Sequence, residues 1–339
     1  FRIDHPIDLD QWSDDLAWRS RIKHPRRLST NHLMGEGYWV WLIPLAGGRT
    51  SVGVVADAAL HPFEEIASFE KILSWMDAHE PQCASVIRDL RDRRMDFLAL
   101  KNYSYDVRQM FSPRRWCVVG EAGMFLDPLY SPGSDFIAIA NGYATDLILR
   151  DRRGEPLEGV ARRHDQACRA LGRTYLVNYH RQYPLMGSPR VMSTKIVWDF
   201  TMYWGGVALL YFADRLCDDA FMERSRAIMQ RFAALNIRMQ AHFREWARAI
   251  GDTAPHRGTF VDYAELGFLA NLNAELLEVH DDASLLARLE RNLTLAEDLK
   301  LEILAESAKS MPDLADSLTE TPSTEHLSEM FREMRPEPA

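Results

Sequence analysis

Residues 116–135 read WCVVGEAGMFLDPLYSPGSD, and this stretch decides the fold. The apolar run Trp116–Gly120 is typical of a short buried strand, and its final glycine lets the backbone approach a ligand closely. An irregular loop follows, and Ser134-Asp135 then opens a helical pattern that continues to about Leu149. Strand, irregular loop and helix in this order predict an α/β nucleotide-binding fold.

The loop between this strand and helix carries groups that suit a ligand. Glu121 follows the strand and can accept hydrogen bonds from hydroxyls, and Pro132-Gly133 interrupt the chain just before a helix N-terminus. Unpaired backbone N–H groups and the helix dipole favour electron-rich atoms there, such as those of a reduced isoalloxazine. An ordinary turn capped by Ser134 or Asp135 explains the same residues. From these residues alone, the two interpretations have about equal support.

A β-hairpin is the clearest local prediction upstream of this loop. The β-rich segment 38–44 (YWVWLIP) is followed by a turn at 46–49 and a returning strand at 50–55. Alternation puts Trp39 and Trp41 on one face of the first strand and Val40 and Leu42 on the other. Paired indoles can wall a flat aromatic substrate or shield a flavin from water. Packing of this face against the core is the simpler interpretation.

The remaining pattern is strand-poor beyond residue 150. We predict helices over 62–79 and 82–91, paired strands over 95–100 and 103–110, and long helices over 218–250 and 283–306. Gly205-Gly206 predicts a kink or close helix packing. The chain therefore divides into residues 1–150, a helical region 151–308 and an acidic, loosely ordered tail 309–339. A stripe of aromatic residues predicts core packing, or alternatively a lid or channel for an aromatic or acyl substrate; it comprises Trp198, Phe200, Tyr203, Trp204, Tyr211 and Phe212.

Composition excludes several classes of function. The 339 residues are 47% apolar, which supports a sizeable core, and a net charge of −9 argues against nucleic acid as a partner. The four dispersed cysteines have no metal-site spacing, so we predict no metal and a reducing, cytoplasmic environment. The most membrane-like stretch, 191–216, carries four charged side chains, which favours a buried helix over a membrane span.

The hairpin and the loop together resemble the flavin-dependent halogenase family, within the larger group of flavoprotein monooxygenases. The family motif W-x-W-x-I-P is matched by Trp39, Trp41, Ile43 and Pro44. The second flavin motif, roughly G-D-A-x-x-F-x-D-P-x-x-S-x-G, is matched by Gly120, Ala122, Phe125, Asp127, Pro128, Ser131 and Gly133. The resemblance implies the C-terminal part of an α/β FAD/substrate domain, with a mixed sheet plus helices, followed by a mostly α-helical region.

The resemblance also implies residue roles and chemistry. Trp39, Trp41, Ile43 and Pro44 would shield the flavin or the substrate. FAD, reduced by a flavin reductase or by NAD(P)H, would react with O2 to a flavin hydroperoxide, which oxidises a halide in halogenases and hydroxylates the substrate in monooxygenases. The substrate would be a small aromatic or acyl molecule, free or bound to a carrier protein. The residues expected to bind the cofactor are Gly120, Glu121, Asp127, Pro128, Ser131, Pro132, Gly133 and Ser134.

Departures from the family pattern keep other functions open. No G-x-G-x-x-G precedes the hairpin, and the family's catalytic lysine lies upstream of the matched segment, so we expect about 100–200 further residues before Phe1. Glu121 replaces the motif's aspartate, and Tyr130 stands where tryptophan halogenases place a glutamate. Pro132 removes a backbone donor, and Asp135 adds a negative charge nearby. A flavin-dependent reductase or dehydrogenase, or a non-catalytic binding module, therefore remains an alternative.

Overall fold

A computed structural model describes residues 1–21, 24–251, 261–311, 313, 326–327 and 330–331 of the chain. The strands are β1 (Arg2–Ile3), β2 (Asn31–Gly35), β3 (Tyr38–Leu45), β4 (Arg49–Ala56), β5 (Phe111–Ser112) and β6 (Trp116–Cys117). The helices are α1 (Leu16–Ser20), α2 (Phe63–Ile66), α3 (Phe69–His79), α4 (Pro81–Asp89), α5 (Pro132–Arg152), α6 (Glu158–Leu176), α7 (Pro189–Met202), a π-helix (Tyr203–Ala208), α8 (Leu209–Phe212), α9 (Asp219–Ile250), α10 (Gly267–Ala274) and α11 (Asp282–Ser307).

The larger sheet is antiparallel and is built around the predicted hairpin. Its strand order is β1-β4-β3-β2, and β3 pairs with β4 along its whole length. Gly47 and Gly48 form the turn with φ angles of 77° and 73°, a left-handed conformation that glycine adopts without strain. The hairpin prediction is confirmed, and so is the α/β class with a mostly helical C-terminal region.

The two faces of β3 belong to different hydrophobic cores, as the alternation predicts. Val40 and Leu42 pack with residues of α3 and α4, including Leu73. Trp39 faces the opposite way and joins the core of the helical region, in which Trp198 is also fully buried. Each such large side chain contributes roughly 1.5–3 kcal/mol on burial. The sheet therefore joins the N-terminal and helical parts of the molecule.

Residues 95–110 differ from the prediction of paired strands, which is wrong. Within this segment, Tyr105 forms an isolated β-bridge with Phe125. Just before the segment, Arg94 forms another isolated β-bridge with Ile3. Asn102, at the predicted turn, has a φ of 53°, which is a conformation that tight hairpin turns also use. The two segments do not pair with each other because their backbones bond elsewhere, with β1 at one end and with Phe125 at the other.

The strand predicted over Trp116–Gly120 is also wrong in length and burial. β6 contains only Trp116 and Cys117, both exposed, and it pairs antiparallel with β5. Gly120 then begins a short 3₁₀ turn rather than ending a buried strand. The chain consequently enters the loop from a surface ribbon.

Several helix boundaries also depart from the periodic pattern. The helix predicted over 62–79 is two helices, because Ser68 takes an extended conformation and caps α3 through the Lys71 N–H. Helix α5 begins at Pro132, so the capping roles expected of Ser134 and Asp135 are wrong. The long helices α9 and α11 lie where they were predicted.

The glycine pair in the helical region marks a π-helix. The segment Tyr203–Ala208 continues α7 without an intervening loop. Gly205 lies against α11, where an added Cβ would be 3.3 Å from the Cβ of Asn292. The Asn292 side-chain amide donates a 3.1 Å hydrogen bond to the Gly205 carbonyl. This close approach confirms the predicted helix packing.

Part of the tail beyond residue 308 packs on the helical core. Leu327, Met330 and Phe331 are buried there. Most of the segment 309–339, which was expected to be loosely ordered, lies outside the described residues. Among the helices that are described, none has both the length and the apolarity needed to cross a membrane.

Candidate functional site

The second motif folds around one cavity of about 230 Å³ at the start of α5. Gly120 is the only one of the eight predicted cofactor-binding residues that does not line it, and this glycine is buried at the start of the loop with a φ of 56°. The first and last of the other seven residues are thirteen positions apart in the sequence, and all seven line this cavity: Glu121, Asp127, Pro128, Ser131, Pro132, Gly133 and Ser134.

Two consecutive left-handed residues form the turn into α5. Tyr130 has a φ of 65° and Ser131 a φ of 55°, a conformation that costs energy for residues other than glycine. The turn is held by hydrogen bonds on both sides. Tyr179 donates from its hydroxyl to the Leu129 carbonyl at 2.8 Å, and the Ser131 N–H donates to the Pro128 carbonyl at 3.0 Å. The strained turn thus delivers the N-terminus of a 21-residue helix to the cavity wall.

Glu121 and Gly133 fit against each other across this cavity. A Cβ added at Gly133 would overlap the Glu121 carboxylate, so a side chain at position 133 requires the carboxylate to move. Glu121 is exposed, and its carboxylate therefore remains open to a ligand. The longer side chain of glutamate, which replaces the motif's aspartate, places an acceptor directly over the helix N-terminus.

Asp127 connects the two motifs rather than facing solvent. Its carboxylate accepts hydrogen bonds from the Leu129 N–H at 2.9 Å and from the Tyr183 hydroxyl at 2.5 Å. The Tyr183 oxygen in turn accepts a 3.1 Å hydrogen bond from the Trp39 indole. Burial raises the pKa of Asp127, although the Tyr183 and Leu129 donors act in the opposite direction. Asp127 thus fixes the loop, and Trp39 reaches it through Tyr183.

The W-x-W-x-I-P residues lie in different surroundings from one another. Trp39 is 1% exposed, whereas Trp41 and Ile43 are half-buried. The Trp41 indole donates to the Ser51 hydroxyl at 3.1 Å and covers Gly53 on the neighbouring strand, where a Cβ would overlap its ring. Pro44 lies at the far end of β3, in the wall of a separate shallow cavity. The structure therefore brings only Trp39, through Tyr183, to the second motif.

A second and larger cavity, of about 500 Å³, lies on the other side of the turn. Helices α5, α6, α7 and α9 and the π-helix form its walls, which are mainly apolar. From the aromatic stripe, Phe200 and Tyr203 line this cavity, while Trp198 is in the core and Tyr211 and Phe212 are exposed. The stripe thus serves partly as core and partly as cavity wall.

Asp135 faces this larger cavity with both carboxylate oxygens engaged. One oxygen accepts a 2.8 Å hydrogen bond from the Tyr203 hydroxyl and the other a 3.1 Å bond from the Tyr175 hydroxyl. Burial raises the pKa of Asp135 against these two donors. The charge that the sequence placed near the loop therefore points away from the smaller cavity.

Ser131 and Ser134 line both cavities. The first turn of α5 and the residue before it therefore lie between the cavity of the second motif, which has polar and apolar lining residues, and the larger, mainly apolar one. This arrangement can hold two ligands next to the same short segment.

Sequence reasoning missed the residues that complete this arrangement. Tyr175 lies on α6, and Tyr179 and Tyr183 follow that helix; none of the three belongs to a recognised motif. A cluster of Asp146, His164 and Cys217 also escaped notice, although their ligand atoms lie within 4.8 Å of one another. The Arg150 guanidinium is ion-paired with Asp146 at 2.8 Å, so this carboxylate already neutralises a cation.

Comparison with curated proteins finds flavin-dependent halogenases. The chain is 26% identical over 186 residues to the flavin-dependent halogenase chlA of Dictyostelium discoideum, covering 52% of this chain and 29% of that protein. It is 27% identical to a 1H-pyrrole-2-carbonyl-[peptidyl-carrier protein] brominase of Pseudoalteromonas luteoviolacea, covering 37% of this chain and 30% of that protein. The chain thus spans less than a third of these relatives. No protein-family model matches the sequence.

Comparison with solved structures finds a similar fold in a halogenase. The halogenase PltM matches with a TM-score of 0.52 at 15% identity, over 88% of this chain and 57% of that one. A PltM structure in complex with phloroglucinol and FAD matches equally well. The sequence matches and the shared fold show that the chain resembles flavin-dependent halogenases over the matched part of those proteins.

Proposed function

We propose that this chain forms a FAD site and an adjoining substrate cavity of a flavin-dependent halogenase. The observation that carries the proposal is that Ser131 and Ser134 line both the cavity of the second motif and the larger, mainly apolar cavity. A halogenase needs two adjoining sites, because the cofactor and the organic substrate must be held close together without direct contact. Bound reduced FAD would supply the O2 activation by which a halide is oxidised.

The residues of the smaller cavity fit a flavin. Gly133 leaves room for the Glu121 carboxylate, which can accept hydrogen bonds from ligand hydroxyls. The N-terminus of α5 presents N–H groups and a positive dipole end to electron-rich atoms. Asp127 has its acceptors occupied by Tyr183 and Leu129, so its role is to hold the loop in position. Trp39 supports that position from the sheet.

The larger cavity suits a small aromatic substrate. Its apolar wall excludes water from the ligand, and Phe200 and Tyr203 offer flat surfaces for stacking. A carrier-bound substrate, which is named for the brominase relative, and a flavin reductase that delivers reduced flavin complete the proposal. Hydroxylation by the same flavin chemistry is the competing reaction, and analysis of products formed with and without bromide distinguishes the two.

Flavin titration of two glycine variants tests the site. Gly133→Val forces a branched side chain into the space of the Glu121 carboxylate, whereas Gly142→Val adds the same group to the same helix where no atom lies within 4 Å. We expect Gly133→Val to weaken FAD binding at least about tenfold, a loss of about 1.4 kcal/mol. Gly142→Val should bind as the wild type does. A Gly133→Val chain that keeps wild-type affinity, or a wild-type chain that takes up no FAD, contradicts the proposal.

A further inference from the structure

The Tyr130 hydroxyl is a sequestered polar group in the wall of the larger cavity. Its ring lies 5.9 Å from that of Phe200 and 6.3 Å from that of Tyr179, and its backbone is held in the left-handed region. The hydroxyl is inaccessible to solvent, and the Asp199 carboxylate is the neighbouring acceptor for its proton. No donor among the described residues bonds to the Tyr130 oxygen, so this oxygen is suited to a ligand that supplies a donor.

An ion pair lies directly behind this hydroxyl. Asp199, 6% exposed, also lines the cavity, and one of its carboxylate oxygens is paired with the ammonium of Lys195, which is 1% exposed. Its other oxygen accepts a 2.6 Å hydrogen bond from the Gln240 side chain. The Lys195 ammonium lies 5.7 Å from the centre of the Tyr130 ring. Tyr130 is therefore backed by a fixed and electrically balanced pair.

A hydrogen-bonded chain of amides keeps this pair in place. The Asn236 side-chain oxygen accepts from the Trp198 indole at 3.0 Å and from Gln240 at 3.1 Å. The Asn236 amide nitrogen donates to the Asn178 side chain at 2.8 Å. Such a network rigidifies the groups that it contains. One wall of an otherwise apolar cavity thus carries preorganised polar groups, which is typical of a small-molecule site.

The charges around the cavity favour one kind of ligand. Asp135 and Asp199 are its acidic lining residues, and within the part of the chain that the structure describes no lysine, arginine or histidine lines it. Asp135 has two tyrosine donors and no ion-pair partner among the described residues. A ligand carboxylate would meet this negative charge in a low-dielectric setting without a compensating cation. A neutral N–H or O–H group meets acceptors instead.

We propose that Tyr130, backed by Asp199 and Lys195, is the specificity-determining group of the larger cavity. It selects an uncharged aromatic ligand that carries an N–H or O–H donor. The Tyr130 oxygen accepts the hydrogen bond of the ligand while its proton turns towards Asp199. The inference rests on the proposed function only in identifying this ligand as the substrate, because the selection itself requires no flavin.

Three probes of similar shape test the selection by calorimetric titration of the 339-residue chain. Indole offers an N–H donor, benzofuran replaces that group by an ether oxygen, and indole-2-carboxylate adds an anion. We expect indole to bind about 3- to 10-fold more tightly than benzofuran, as one net hydrogen bond provides, and the carboxylate to bind weakest. Equal affinities for indole and benzofuran, or no binding of either, would overturn the inference.

Two conservative variants assign the effect to Tyr130. Tyr130→Phe should remove the preference for indole and leave benzofuran affinity within about twofold, because only the hydroxyl is lost. Tyr143→Phe, which alters another tyrosine of the same cavity wall, should keep the preference. A Tyr130→Phe chain that still prefers indole contradicts the assignment. Because no probe requires FAD, a chain that fails to bind flavin but discriminates between the probes refutes the proposed function and retains this inference.

Discussion

The indole of Trp39 donates a 3.1 Å hydrogen bond to the hydroxyl of Tyr183, and that contact joins two motifs that lie far apart in the sequence. The Tyr183 hydroxyl donates a hydrogen bond to the carboxylate of Asp127, and Asp127 holds the loop before α5 in position. The strand that carries Trp39 therefore supports the loop before α5 through Tyr183. Because Trp39 is 1% exposed, its role is to position Tyr183 rather than to contact a ligand directly.

Removing the Tyr183 hydroxyl should destabilise the protein. Tyr183→Phe leaves the Trp39 N–H and one Asp127 oxygen without this partner, and we expect the free energy of unfolding to fall by about 1–3 kcal/mol. Urea denaturation measures the change. Tyr211→Phe, which removes a hydroxyl from a 41% exposed side chain, serves as the control and should be nearly neutral. Equal stability of the two variants would show that the connection between the motifs is unimportant.

Asp127 should lower the free energy of unfolding as the pH rises, whereas most carboxylates in proteins act in the opposite direction. Burial raises its pKa, so between the unfolded and folded pKa values the native state binds more protons than the unfolded state. The difference in unfolding free energy, wild type minus Asp127→Asn, should therefore fall as pH rises from about 4, and level off above the folded pKa. Urea titrations of both proteins across this range measure it. A difference that rises with pH would mean that the carboxylate is stabilised in its charged form.

The stability of the π-helix should depend on the side-chain amide of Asn292. Asn292→Leu removes the donor to the buried Gly205 carbonyl, and we expect a loss of about 1–3 kcal/mol in the free energy of unfolding. Asn271→Leu, on an exposed face of α10, is the matched control. Thermal and urea unfolding of the two variants provide the comparison. If Asn292→Leu is as stable as its control, another partner must satisfy the carbonyl.

The sequence predicted local features of the fold correctly where the pattern of side chains matches the backbone conformation that the structure adopts. Alternation along β3 correctly separates Trp39 from Val40, because each face has its own core. The strands predicted over 95–110 failed because Tyr105 pairs with Phe125 and Arg94 with Ile3, which are distant partners that no periodic pattern reveals. The start of α5 was misplaced by two residues because its strained N-cap, Ser131, uses no side-chain hydrogen bond.

The candidate site was predictable only in part, for a similar reason. The loop residues from Glu121 to Ser134 form a contiguous motif, so the chain itself brings them together. The larger cavity instead depends on Tyr175, Asp199 and Asn236, which lie on three different helices. Their convergence is a property of helix packing, and single amphipathic patterns do not specify which helices become neighbours.

Simultaneous binding of FAD and indole is the most direct test of the two separate cavities. FAD would be titrated into the chain in the absence of indole and then at saturating indole. Separate cavities predict a ternary complex, with an FAD dissociation constant that changes by less than about twofold, because the coupling free energy is small. An apparent dissociation constant that rises in proportion to indole would show that both ligands occupy one site, and would contradict the account.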